Sequence, residues 1–91
     1  MSYALELTDE AVLDIEKHKK AGDKKVLIKI DKLLNELREN PTKGTGKPEK
    51  LKYFKAVVWS HRITDKHRLV YQIMDDKLII LVLAFWGHYE D

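Results

Sequence analysis

The sequence predicts an α+β domain of order β-α-α-β-β-β, two N-terminal helices packed on one mainly antiparallel sheet, and three observations carry that prediction. Apolar residues in the first half recur at helical spacing. The second half is made of short runs rich in β-branched and aromatic residues. One breaker-rich segment, Pro41 to Pro48, separates the two halves. With 91 residues, 44% of them hydrophobic, the chain has enough material for one core and no second domain.

The elements follow in order. Tyr3, Leu5 and Leu7 alternate with Ala4 and Glu6, the period of a half-buried strand. Thr8 offers an N-cap, with Asp9 and Glu10 favourably placed against the positive end of a helix dipole. The first helix should run to about Ala21 with Val12 and Ile15 inward, His18 among lysines on its polar side, and Gly22 ending it. Asp23 can cap a second helix, in which Val26 or Leu27, Ile30, Leu33 or Leu34, and Leu37 form the inner face. Asn40-Pro41 closes it, because the residue before proline disfavours the α region. After the loop come β-rich runs over Leu51 to Phe54, Val57 to Ile63, Arg68 to Met74 and Leu78 to Trp86. Asp75-Asp76-Lys77 makes the last tight turn. The final run is apolar on both alternating faces and should be a central strand.

Composition excludes several classes of chemistry. There is no cysteine, so disulfides, thiolate metal sites and a cysteine nucleophile are all removed. The four histidines come from scattered elements without ligand spacing, so no metal or other cofactor is expected. No leader-like N-terminal stretch is visible, and Leu78 to Trp86 is too short to span a bilayer. A cytoplasmic protein without membrane association is the expectation. The segment Gly44-Thr45-Gly46-Lys47 does not make a phosphate loop: the glycine spacing is wrong, Pro48 stands where Ser or Thr is needed, and no strand precedes it.

Charge is distributed unevenly. From Lys43 to Arg68 there are eight basic and two acidic residues, a local net charge of +6 in a chain whose total is +2. That asymmetry points to an anionic partner such as nucleic acid, although a solvated lysine-rich loop would produce the same count. Within the segment, a three-residue loop at Thr64-Asp65-Lys66 would pair Ile63 with His67 and set Arg62 directly opposite Arg68. Like charges facing each other destabilise a sheet, and a bound phosphate would give the arrangement a reason. A four-residue loop would instead send the two arginines to opposite faces, and the sequence leaves both registers open.

Four separated motifs then carry a family resemblance: Lys47-Pro48-Glu49-Lys50-Leu51-Lys52, Trp59-Ser60-His61-Arg62-Ile63-Thr64, His67-Arg68-Leu69-Val70-Tyr71, and His88-Tyr89. In this order they resemble the YoeB (Txe) branch of the RelE-like toxins of bacterial type II toxin-antitoxin systems. The resemblance implies the RelE-like microbial RNase fold over residues 1–91. It also implies a ribosome-dependent, metal-independent endoribonuclease that cleaves messenger RNA in the ribosomal A site and inhibits translation. The implied partners are the ribosome, messenger RNA and a cognate antitoxin of the YefM or Axe type, and pairing as a homodimer is known in such toxins. Carried over residue by residue, it makes Glu49 the general base, Arg62 and Arg68 the phosphate-binding arginines, and His88 the general acid, with Tyr89 completing the site.

These residue types suit the chemistry. Cleaving RNA without a metal needs a base for the 2′-hydroxyl proton, cations for the charge on a phosphorane-like transition state, and an acid for the leaving 5′-oxygen. Plainer readings stand beside them: Glu49 as a surface carboxylate paired with a lysine, Arg68 as an exposed strand residue, His88 as a packing residue, Tyr89 as a core cap with a wet hydroxyl. Lys52, Lys55 and Lys66 would hold RNA or the ribosome, and Trp86 would stack on a base. His61 stands where the family commonly has a second arginine. On strand alternation it points away from Arg62, toward either a ribosomal RNA contact or the core. His67 reads as structural, and His18 is given no role. The competing class is a non-catalytic poison, like the gyrase-inhibiting relatives on the same fold, which acts by occupying a partner.

Overall fold

The computed structural model describes residues 2–42, 49–51 and 57–87. Its elements are strand β1 (Ala4–Leu7), helix α1 (Asp9–Ala21), helix α2 (Lys24–Glu39), strands β2 (Glu49–Lys50), β3 (Val58–Arg62) and β4 (Arg68–Met74), a 3-10 turn at Asp75–Lys77, and strand β5 (Ile79–Ala84). The strands form one five-stranded sheet of order β1-β5-β4-β3-β2. Three neighbouring pairs are antiparallel, and β1 runs parallel to β5. The predicted α+β class and two-helix layer are therefore observed. The short strand β2 adds one element to the predicted order, and the run predicted over Leu51 to Phe54 falls mostly outside the described residues.

Helix boundaries lie where local chemistry puts them. The Thr8 side chain accepts a hydrogen bond from the Ala11 amide, and Asp23 caps α2 by accepting from the Val26 amide. Gly22 ends α1 with φ of 70°, in the left-handed region where a side chain would be strained. α2 presents Val26, Ile30, Leu33 and Leu37 to the sheet, all buried, at the spacing of one helical face. Against them pack Leu69, Tyr71 and Ile73 of β4 with Ile80 and Val82 of β5. The Tyr71 hydroxyl donates to the Pro41 carbonyl, tying the end of α2 to the middle of the sheet.

α1 is oriented differently from the prediction. Val12 and Leu13 are 47% and 62% exposed, and the inward residues are Ala11, Asp14, His18 and, half-buried, Ile15. An apolar-periodicity reading favours Val12. The helix instead turns the polar pair Asp14 and His18 inward, because both bond to the backbone of Phe85 just beyond β5. Those bonds remove the cost of burying the two groups. His18 is thus 1% exposed and belongs to the interior, not to the polar side of the helix.

The second face of the sheet carries a smaller apolar cluster of Leu51, Val58, Val70 and Ala84, with Leu83 packed on it. Ala84 reaches that face through an irregularity in β5: Tyr71 pairs with Val82 while Val70 pairs with Ala84, leaving Leu83 as the extra residue. β5 is an interior strand as predicted, but it ends at Ala84 and not at Trp86. Among the described residues, no helix is long and apolar enough to cross a membrane.

Candidate active site

The hairpin between β3 and β4 takes the three-residue-loop register. Both the Ile63 and Thr64 amides donate to the His67 carbonyl, at 3.0 and 3.1 Å. The Thr64 hydroxyl accepts from the amides of Lys66 and His67, each at 3.1 Å, and so fills the turn from within. Arg62 therefore pairs directly with Arg68. Residues directly opposite share a face, so both arginines project on the side away from the helices. One step further along β3, Ser60 pairs with Glu49 of β2. Because Ser60 and Arg62 are two residues apart on one strand, Glu49 joins the same face. Its Cα lies one strand over and one pleat along from Arg62, about 7–8 Å on a diagonal. A carboxylate and two guanidinium groups thus share one side of the hairpin. Glu49 and Arg62 are exposed and Arg68 is half-buried.

On the other face, the chain leaving β5 is held by four hydrogen bonds. The Phe85 amide donates to Asp14 Oδ2 at 3.0 Å, and the Phe85 carbonyl accepts from His18 Nε2 at 2.9 Å. The Gly87 amide donates to His67 Nδ1 at 3.0 Å, and its carbonyl accepts from the Arg68 amide at 2.9 Å. A carbonyl can only accept, so His18 carries its proton on Nε2. An amide can only donate, so His67 Nδ1 is unprotonated. Burial, followed by the neighbouring His18 and Lys66, pushes the His67 pKa below the ordinary histidine range. The His18 and His67 rings meet edge to face at 4.8 Å, and Trp86 packs against both, its ring centroid 4.8 Å from His18 and 4.4 Å from His67, with Lys17 Nζ 5.5 Å above it. Gly87 has φ of 85°, a conformation natural to glycine alone.

The structure brings together Glu49, Arg62 and Arg68 from the sequence-predicted set. His88 and Tyr89, and the lysines Lys52 and Lys55, lie outside the described residues. Lys66 is exposed at the hairpin tip. His61 is completely buried on the helix side, its ring 5.4 Å from that of Tyr71. It takes the core position of its two readings, not that of an RNA contact, because strand alternation turns it inward. Trp86 is 38% exposed. It borders a cleft of about 390 Å³ that is also lined by His18, Asp23, Thr64 and His67, on the helix side of the hairpin. Among the described residues, no three His, Asp or Glu side chains gather as metal ligands. The sequence reading missed the Asp14, His18 and His67 contacts. The only signal was the four-residue spacing of Asp14 and His18 on one helical face.

Comparison with known proteins shows which family the sequence and fold resemble. Residues 7–89 match the family described as YoeB-like toxin of bacterial type II toxin-antitoxin system. Toxin YoeB of Escherichia coli K12 is 45% identical over 67 residues, 74% of this chain and 77% of that protein. The YoeB/ParE toxin from Agrobacterium tumefaciens superimposes with a TM-score of 0.86 at 34% identity, covering 94% of this chain and 99% of that one. A toxin chain in the heterotetrameric YoeB-YefM complex from Staphylococcus aureus superimposes with a TM-score of 0.79 at 33% identity, covering 98% and 100%.

Proposed function

The chain belongs to the YoeB-like toxins of bacterial type II toxin-antitoxin systems, and from that premise we propose that it is an endoribonuclease cleaving messenger RNA in the ribosomal A site without a metal. The observation that carries the proposal is the pairing of Arg62 with Arg68 on the face that also bears Glu49. Two opposed cations are unfavourable in an isolated sheet and favourable around a phosphodiester, to which planar guanidinium forks bond in charge-assisted pairs.

In the proposed reaction Glu49 takes the proton of the 2′-hydroxyl, and the 2′-oxygen attacks phosphorus. The bond to the 5′-oxygen breaks, and His88 donates the proton that the leaving oxygen requires. Arg62 and Arg68 bear the charge of the transition state, and Tyr89 completes the site. The products are a 2′,3′-cyclic phosphate and a 5′-hydroxyl end. Primer extension on ribosome-bound messages should show new 5′ ends after induction. Glu49→Ala and His88→Gln should each abolish them while leaving ribosome binding in place. Growth arrest that persists in both variants would overturn the nuclease reading in favour of a poison that acts by occupancy.

Lys52, Lys55 and Lys66 are proposed to contact RNA phosphates. Each neutralised phosphate contributes a slope of roughly −0.7 to −0.9 in log affinity against log salt. Replacing all three with glutamine should flatten the measured slope by about 2, and an unchanged slope would remove them from the interface. A cognate antitoxin is the proposed regulator, since the related Staphylococcus aureus toxin crystallised in complex with YefM. An acidic segment ordering on the basic face would block the site directly. Pairing of two copies of this chain is also proposed, with light scattering as its test.

A further inference from the structure

We propose that His67 is a positioning residue for the nuclease reaction: its Nδ1 holds the Gly87 amide and, with Asp14 and His18 holding both backbone groups of Phe85, fixes where the chain passes on to His88. The inference rests on the reading of His88 as general acid. It goes beyond that reading by assigning a working role to groups on α1 and the hairpin that touch neither RNA nor the scissile bond.

The geometry is that of a clamp closed from two sides. α1 supplies one carboxylate and one imidazole, four residues apart, to the amide and carbonyl of a single residue, Phe85. The hairpin supplies the His67 ring and the Arg68 amide to the two backbone groups of Gly87. The two imidazoles meet edge to face at 4.8 Å, and the Trp86 ring packs against both of them. β5 has ended at Ala84, so of the four bonds only the one from the Arg68 amide of β4 comes from the sheet, and side chains supply the other three. The Arg68 amide belongs to the residue whose guanidinium lies opposite Arg62. The arginine face and the exit of the chain toward residue 88 are therefore fixed to one strand end. A misplacement of about 1 Å in a reacting group can cost on the order of a hundredfold in rate, so such bracing has a catalytic consequence without contact.

The clamp has a chemical condition. His67 accepts from Gly87 only while Nδ1 is unprotonated, and protonation turns both ring nitrogens into donors. The groups facing it are His18 and Asp14 from α1, Asp23 from the start of α2, and Lys66 beside it in the loop. With its folded pKa depressed, His67 takes up a proton more readily in the unfolded chain. Stability contributed by the clamp is complete above the ordinary histidine pKa and falls as pH drops toward the folded value.

The test uses the whole chain and two variants. His67→Phe keeps a ring but loses the acceptor, whereas His67→Asn offers a carbonyl oxygen close to the Nδ1 position that does not titrate in this range. In single-turnover cleavage on ribosomes, His67→Phe should be about tenfold slower or more with ribosome affinity unchanged, and His67→Asn should return to within about threefold of the parent. Hydrogen exchange by NMR gives an independent readout. Corrected for intrinsic exchange, protection of the Gly87 amide in the parent should fall at least tenfold as His67 titrates, and should stay level in His67→Asn. Full activity in folded His67→Phe, or Gly87 protection in the parent that does not change across the titration, would overturn the proposal. A parent protein that shows the Gly87 response but never cleaves RNA would overturn the nuclease reading and leave the clamp standing.

Discussion

Arg62→Ala should slow messenger RNA cleavage by about a hundredfold or more while leaving the folded protein as stable as before, or slightly more so. In the proposed reaction the loss follows from removing a cation that bears transition-state charge, a change that commonly costs about 2.7–4 kcal/mol. The stability effect follows from the register. Arg62 is exposed at the end of β3 and directly opposite Arg68, and like charges so placed are destabilising in a sheet. Single-turnover cleavage and thermal unfolding of one sample decide the matter. A residue kept for packing would show the opposite pattern, losing stability and retaining activity. Arg62→Lys should recover only part of the rate, because an ammonium group does not reproduce the planar fork.

Leu33→Ala should lower stability by about 2–5 kcal/mol, since Leu33 is fully buried in the centre of the α2 face and its removal leaves a cavity against the sheet. Against a total of about 5–15 kcal/mol for a domain of this kind, that is a large fraction. At roughly 4–8 °C per kcal/mol for a domain this small, the expected fall in Tm is on the order of 10–40 °C. Leu13→Ala on the outer side of α1, where Leu13 is 62% exposed, should stay within about 0.5 kcal/mol. Denaturant titration of both variants checks the orientation of the two helices as well as the magnitude. A large loss at Leu13 would mean that this face of α1 is covered in solution.

The helices and the later strands were legible because caps and breakers sit at their ends: Thr8, Gly22, Asp23 and Asn40-Pro41 each mark a boundary through local chemistry. α2 was readable to its inner face apart from two adjacent pairs, Val26 or Leu27 and Leu33 or Leu34, of which the structure buries Val26 and Leu33. α1 was not, because its inward residues include an aspartate and a histidine whose burial depends on a backbone 71 residues away for Asp14 and 67 for His18. No local pattern encodes that. The parallel pairing of β1 with β5 was hidden for the same reason. The hairpin register was narrowed to two choices, and Thr64 decides between them by folding its hydroxyl into the turn. For the site, the residue types and motifs named the candidates. What the sequence could not supply was the tie between Phe85, Gly87 and the two interior imidazoles.

The order of strands has a consequence for how the toxin comes into being. β5, the last of the described strands to leave the ribosome, is inserted between β1 and β4 near the middle of the sheet. A nascent chain that stops short of Ile79 has a β1 with no neighbour and a hairpin with one edge open, so its apolar interior cannot close. A chain broken off before Ile79 is therefore one that cannot complete its fold, whatever residues it already carries.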